Sequence, residues 1–242
     1  MVYITPHIEI VDLALYIPLS GTIIFSDFHI GYEEALASAG ALIPRFQFGD
    51  TLKRLEGIFA ALRGKAVKTI VINGDLKHEF GAISAQEWRN ILKLLDYFAG
   101  KAERIIIVKG NHDVMLGPVA RKRNLRMVTE YRVGESLIAH GDAIAEKTKL
   151  QGIRTIIIGH EHPALGVREH RRVELVKCFL KGVWKRRTLI VQPSFNLLVE
   201  GTDVLQGRFL SPYLQQPLGA FEVYAVPKPG EVLYFGRIRG LK

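Results

Sequence analysis

Five apolar runs in this 242-residue sequence each end in Asp, Asn or His. Ile105-Ile106-Ile107-Val108 leads into Lys109-Gly110-Asn111-His112-Asp113. The runs beginning at Thr22, Thr69, Ser136 and Thr155 lead into Asp27-Phe28-His29, Asn73-Gly74-Asp75, His140-Gly141-Asp142 and Gly159-His160-Glu161-His162. Carboxylate, amide and imidazole groups are oxygen and nitrogen donors for hard-to-borderline cations. Asp27 and His29 stand two apart, as do His160 and His162, and on an extended backbone that spacing points both side chains the same way. Asp75 follows a glycine that lets the backbone approach closely, so its carboxylate can bridge two cations. The pattern reads as one polynuclear metal centre assembled from five strand ends. Two ions about 3.5–4 Å apart activate a water and neutralise the oxygens of an in-line displacement at phosphorus. A lone Asp-x-His or Gly-Asp is common in turns, and a single buried His is usually a core residue. The weight lies in all five occurring together, in this order.

The elements that must position these residues follow from the same text. The apolar runs are buried strands. Helices are expected over 32–39, stopped by Gly40, and over 50–62, where Leu52, Leu55, Ile58, Phe59 and Leu62 share a face. A third starts at Ser84, with Glu87 completing a capping box and Trp88, Ile91, Leu92, Leu95 and Phe98 as its apolar side. Strand, helices, strand, helix, strand over 22–109 argues an α/β arrangement with parallel strands, whose carboxyl ends are where a site belongs. Residues 8–19 read as an opening strand that turns at Ser20-Gly21. Beyond about 126 the texture becomes short strands, at 126–128, 131–133, 136–140, 155–159, 173–180, 188–192, 221–226 and 232–237, forming a second, mostly antiparallel sheet. Nothing marks a linker or repeat. The expectation is a single domain over 1–242, two packed sheets with helices outside, in which 165–242 completes the second sheet and carries a basic extension.

The net charge of +9 favours an anionic partner. Segment 168–187 holds eight Lys or Arg against two Glu, and Arg121, Lys122, Arg123 and Arg126 form a second cluster. Beside a metal site these suggest a polyanion, DNA or RNA; a solvated basic surface is the plainer alternative. Trp184 sits among cations as in a nucleic-acid groove, or at a hairpin tip or oligomer contact. With Cys178 alone, neither an intrachain disulfide nor a thiolate cluster is available. No apolar run is long enough for a membrane span and no signal-like segment opens the chain, so a cytoplasmic protein without a membrane partner is expected. Oligomeric state has no signal in the sequence.

Asp27-Phe28-His29, Gly74-Asp75, Gly110-Asn111-His112-Asp113, His140 and Gly159-His160-Glu161-His162 resemble the five signatures of the calcineurin-like metallophosphoesterases, spanning residues 27–162. The resemblance implies a four-layer αββα sandwich of two mixed β-sheets flanked by helices. It implies a phosphoesterase, foremost a phosphodiesterase or nuclease, in which a metal-bound hydroxide attacks phosphorus. Asp27, His29 and His162 would hold the first ion, Asn111, His140 and His160 the second, and Asp75 would bridge both. The pair would be divalent transition metals, Mn²⁺ first, with Ni²⁺, Fe²⁺ or Zn²⁺ compatible. His112 would stabilise charge or protonate the leaving oxygen, with Asp113 orienting and charging it. Segments 26–33 and 73–80 resemble more narrowly an archaeal branch related to the SbcD nuclease, whose bacterial relatives are ligase-associated DNA-damage-response endonucleases.

The sequence departs from the family pattern at His78, where Gly-Asp-x-x-Asp is common, and at Asp142, where His-Gly-His is common. His78 and Asn196 are the candidate substrate contacts. Arg45 and Gln47 are phosphate contacts or surface loop, and Tyr32, Glu33 and Glu34 line the pocket unless the two glutamates form an exposed helix start, which the helix dipole favours. The rival readings are a small-molecule or nucleotide phosphatase or phosphodiesterase, and an inactive scaffold. The scaffold's mark would be missing ligands, and none is missing here.

Overall fold

The computed structural model describes residues 2–41, 46–79, 84–113, 116, 123, 125–169 and 172–241. Arg45, Arg121, Lys122 and Arg171 lie outside them. Among the described residues the first sheet runs β1 (Val2–Thr5), β2 (Ile8–Val11), β3 (Ala14–Ile17), β4 (Thr22–Ser26), β5 (Thr69–Asn73), β6 (Arg104–Val108) and β7 (Arg126–Val128), in that spatial order. The strands up to β4 pair antiparallel and those from β4 to β7 parallel. Every residue of β4 and β5 is buried, as expected of an apolar run covered on both faces. Their registers align Ser26 with Asn73 and Asn73 with Val108, so three strands end at one edge.

The second sheet contains β8 (Glu130–Val133), β9 (Ser136–Ala139), β10 (Thr155–Ile158), β11 (Pro163–Glu169), β12 (Arg172–Trp184), β13 (Arg187–Val191), β14 (Thr202–Asp203), β15 (Glu222–Ala225) and β16 (Leu233–Arg237). The order is β14-β11-β12-β13-β10-β9-β8, with β15 beside β12 and β16 beside β15. It too is mixed, since β10 is parallel to both β9 and β13. Successive side chains point to opposite faces. Ile138, Ile157, Phe179 and Ile190 join the core shared with the first sheet, while Leu137, Ile156, Ile158, Leu180, Leu189 and Val191 join a second core behind.

Helices α1 (Tyr32–Ser38), α2 (Gln47–Ala61) and α3 (Ala85–Ala99) follow the first sheet's strands, and α2 and α3 bury Leu55, Ile58, Ile91, Leu94, Leu95 and Phe98 in the shared core. Phe98 stacks on Phe25 of β4 at 5.4 Å between centroids. Outside the second sheet the cover is irregular chain: Ala145, Leu150, Phe209, Tyr213, Leu214 and Phe221 close the second core. Proline and glycine punctuate this stretch, which suits turns better than a helix.

Three features depart from expectation. Residues 8–19 form two strands, because Asp12 adopts φ +58° and its carboxylate accepts from the Leu13 and Gly230 amides at 2.6 and 2.8 Å, fixing a tight turn. β1, β11 and β14 were not expected. Segment 168–187 is not one basic patch, because Arg172 and Lys185 lie at opposite ends of β12, whose 13 residues span roughly 40 Å.

Candidate metal centre

The strand ends meet where the two sheets adjoin, and the backbone changes character there. Asp27, His29, Asp75, His160 and His162 have φ of +52°, +45°, +26°, +67° and +47°. The side chains of Asp27 and His29 are thus brought together by left-handed turns past the end of β4, and not by the alternation of an extended strand. Left-handed non-glycine residues cost of order 1–3 kcal/mol each and persist only where surroundings hold them. Residues 192–196 and Ser211 hold them. Phe195 and Asn196 donate their amides to the carbonyls of Ser26 and Asp27 at 2.7 and 3.2 Å. The Ser194 hydroxyl donates to the Asp27 carbonyl at 2.7 Å, and the Asn196 side-chain amide to the His29 carbonyl at 3.3 Å. Gln192 ties the sheets together by donating to the carbonyls of Leu13 and Ile24 at 3.0 and 2.9 Å. Glu161 accepts the Ser211 amide, bracing the His160–His162 turn from the irregular C-terminal segment.

Close approach needs glycine at three points of the site, Gly159 against the Asp27 carboxylate being one. A Cβ on Gly74 would overlap the His140 imidazole, and one on Gly110 would overlap the Asp75 carboxylate.

The donors form two groups that meet at Asp75, and Asp27 also reaches across, its Oδ1 3.4 Å from His140 Nδ1. His29 Nε2 lies 3.3 Å from His162 Nε2 and 3.7 Å from Asp75 Oδ2, and His162 Nε2 lies 3.7 Å from Asp27 Oδ2. His140 Nε2 lies 2.9 Å from Asn111 Oδ1, 3.1 Å from His160 Nδ1 and 3.5 Å from Asp75 Oδ2. The structure therefore brings together all seven residues expected to hold metal.

Electrostatics fit cations. Burial, then Asp75, raises the pKa of Asp27 well above the carboxylate range, and burial pushes Asp75 up to about 6. Burial, reinforced by neighbouring imidazoles, lowers His29 and brings His140 down to about 2; burial and then Lys177 bring His162 down to about 3. Asp27 Oδ1, His29 Nδ1 and His140 Nδ1 are buried without a hydrogen-bond partner among the described residues. Two buried carboxylates among neutral imidazoles are a deficit of positive charge, which divalent ions would supply.

The remaining candidates fall differently. The half-buried His112 has its Nε2 3.9 Å from Asp75 Oδ2, its amide donates to Asp75 Oδ1 at 2.9 Å, and its Nδ1 meets the His78 carbonyl. Asp113, expected to orient His112, spends its carboxylate on backbone amides: Leu76 at 3.0 Å, Lys77 at 3.4 Å and Gly110 at 3.0 Å. It pins the Asp75 loop to the Asn111 loop, and its pKa is pushed up to about 7 by burial. His78 is at the rim, its ring stacked on His112 at 5.6 Å and edge-on to Tyr32 at 4.7 Å. Asn196 is buried and supports the His29 backbone instead of facing substrate. Gln47 is likewise buried, its amide held by Glu33, which is itself buried and not exposed. Trp184 is core, packed on Tyr213 at 4.8 Å. The supports Gln192 and Ser194 carry no signal in the sequence, because their roles arise from contacts 167 or more residues away.

The family profile described as calcineurin-like phosphoesterase matches residues 22–162. Among solved structures, the chain is similar to the Pseudomonas putida nuclease MPE, with TM-score 0.63 and 18% identity over 93% of this chain and 92% of that one. It is more distantly similar to zinc-complexed wild-type Vps29 from Entamoeba histolytica, with TM-score 0.38 and 14% identity over 88% and 96% of the two chains. No curated protein matches it. Among the described residues no helix is long and apolar enough to cross a membrane.

Proposed function

The chain belongs to the calcineurin-like phosphoesterases, hydrolases acting on phosphoric ester bonds, and on that premise we propose that it is a dinuclear phosphodiesterase that acts as a nuclease. The observation that carries the dinuclear reading is Asp75 Oδ2, 3.7 Å from His29 Nε2 on one side and 3.5 Å from His140 Nε2 on the other. Asp27, His29 and His162 would hold one ion, Asn111, His140 and His160 the other, with Asp75 shared. Mn²⁺ is the proposed metal on the mixed oxygen and imidazole donor set.

Bound divalent ions would lower the pKa of the attacking water and neutralise phosphoryl oxygens. The chain's own groups do the rest. His112 directs Nε2 toward Asp75 and donates a proton to the leaving oxygen. Burial lowers its pKa, so an imidazolium formed beside an anionic phosphate is a stronger acid. The His78 carbonyl holds the opposite nitrogen and fixes the ring. Asp113 keeps the loops of Asp75 and Asn111 at constant separation.

Support for a nucleic acid comes from the charge of +9, from the likeness in fold to the nuclease MPE, and from the narrower resemblance to the SbcD-related branch. The β11–β12 hairpin starts directly after His162 and exposes Arg168 and Arg172 toward its turn. The protein is proposed to work in the cytoplasm as one domain.

The test is hydrolysis of bis(p-nitrophenyl) phosphate beside p-nitrophenyl phosphate by chelator-stripped protein given back Mn²⁺, Ni²⁺, Zn²⁺ or Mg²⁺. Metal-restored diester cleavage, followed by salt-sensitive cleavage of single- or double-stranded DNA or RNA, is expected. Monoester cleavage alone would replace this reading with a small-molecule phosphatase, and inactivity with every metal would replace it with a scaffold.

A further inference from the structure

His29, His78 and His112 form a cluster that neither metal position uses as a unit. One ring nitrogen from each lies within 4.8 Å of one from each of the others. The rings of His29 and His112 stand edge to face at 5.1 Å, those of His29 and His78 at 5.5 Å, and His78 stacks on His112. His29 Nδ1 and His78 Nδ1 are buried atoms without a hydrogen-bond partner among the described residues. In a core this is costly, and it is the state of a nitrogen kept for another ligand.

We propose that His29, His78 and His112 form an alternative metal berth, selective for imidazole-seeking ions such as Zn²⁺, whose occupancy inhibits the enzyme. His29 belongs both to this trio and to the group of Asp27, His29 and His162, and the two groups of three are alternative seats for one ion. The choice between them depends on the metal. The first seat offers a carboxylate and two imidazoles, which suits Mn²⁺. The second offers three imidazoles, which suits Zn²⁺, Ni²⁺ or Cu²⁺ over Mn²⁺ or Mg²⁺. Tetrahedral zinc at about 2.1 Å from nitrogen needs ligand atoms about 3.4 Å apart. Since His78 is only half-buried and its Nδ1 has no hydrogen-bond partner among the described residues, its ring can close that gap toward the fixed His112.

The consequence follows from His112. A metal on its imidazole removes the proton donor assigned above, so zinc in this berth stops leaving-group assistance; in this step alone the inference rests on the proposed function. His78 is the residue that makes the berth, standing where the family pattern commonly has Asp, and replacement of a carboxylate by an imidazole changes the preferred ion.

Two measurements test it. In imidazole ¹H–¹⁵N correlation spectra of stripped wild-type protein, added Zn²⁺ should shift the His78 ring nitrogens, and Mg²⁺ should not. If zinc shifts His162 and leaves His78 unmoved, the berth does not exist, whatever the activity. In Mn²⁺-supported hydrolysis of bis(p-nitrophenyl) phosphate, rising Zn²⁺ should inhibit wild type, and H78N and H78Q should need about tenfold more zinc for half-inhibition, each relative to its own zinc-free rate. Equal sensitivity of all three proteins would overturn the inhibitory role. Loss of activity with every metal while His78 still binds zinc would sink the proposed function and leave the berth standing.

Discussion

Asp75 accepts the backbone amide of His112 through Oδ1 at 2.9 Å, while its Oδ2 faces the imidazoles. One carboxylate therefore both offers itself to metal and holds the loop that carries the proposed acid. The two jobs separate by mutation. Asp75→Asn keeps an oxygen for the amide and removes the charge; it is expected to lose nearly all activity and at least one bound metal with little change in Tm. Asp75→Ala removes both, and is expected to lose in addition roughly 1–3 kcal/mol of stability in stripped protein. Metal analysis beside thermal melts decides it, and a fully active, fully loaded Asp75→Ala protein would refute the assignment.

His112 is expected to matter in proportion to the leaving group. An alkoxide departs only with a proton, whereas p-nitrophenolate departs nearly unaided. His112→Ala should therefore slow cleavage of an oligonucleotide phosphodiester by about 10²–10⁴-fold. Cleavage of bis(p-nitrophenyl) phosphate should fall by much less. Comparing the two substrates at saturating Mn²⁺ measures this, and equal losses would move His112 from proton transfer to phosphate binding.

The five motifs were legible because each is local: a strand of Ile and Val ending in a ligand needs no knowledge of the rest of the chain. The helix cap at Ser84 was legible for the same reason, and Ser84 Oγ does accept the Glu87 amide at 3.0 Å. The other half of that capping box was not, because the Glu87 carboxylate turns away to the His78 amide at 2.9 Å. Asp113 shows the same limit. Its neighbour in sequence suggested a partner, yet burial beneath two loops gave it three backbone amides instead. The two-residue spacing at Asp27 and His29 pointed to the right pair for the wrong reason, since left-handed backbone does what strand alternation was expected to do.

Ser194 was silent in the sequence, and it carries a prediction. Its hydroxyl bonds the Asp27 carbonyl and also accepts the Asn196 amide at 3.0 Å. Ser194→Ala removes one of the two hydrogen bonds made by each of these buried backbone groups, leaving only their mutual bond at 3.2 Å, and is expected to cost roughly 0.5–1.5 kcal/mol. Because Asp27 sits at φ +52°, the loop should relax and weaken the adjacent ion by about tenfold or more. Chelator competition with Mn²⁺ reads the affinity. A lower Tm with unchanged affinity would make Ser194 a purely structural residue.

Lys177 of β12 is a buried charge set against stability. Its ammonium has no hydrogen-bond partner among the described residues, and burial, aided by nearby Arg54, brings its pKa down to about 7 from 10.5. Between those two values the unfolded chain holds more protons than the folded one. Stability therefore rises with pH across about 7 to 10.5, and the penalty is complete below 7. Lys177→Met keeps the stem and removes the charge. In stripped protein it is expected to stabilise by roughly 1–3 kcal/mol at pH 6, after allowance for the partly exposed side chain. The gain should shrink toward pH 10, where the folded wild-type lysine is neutral and the unfolded one has begun to lose its proton. Melts of both proteins from pH 6 to 10 check the sign: a gain that does not shrink with rising pH would mean that packing, and not the buried ammonium, is what the substitution changes.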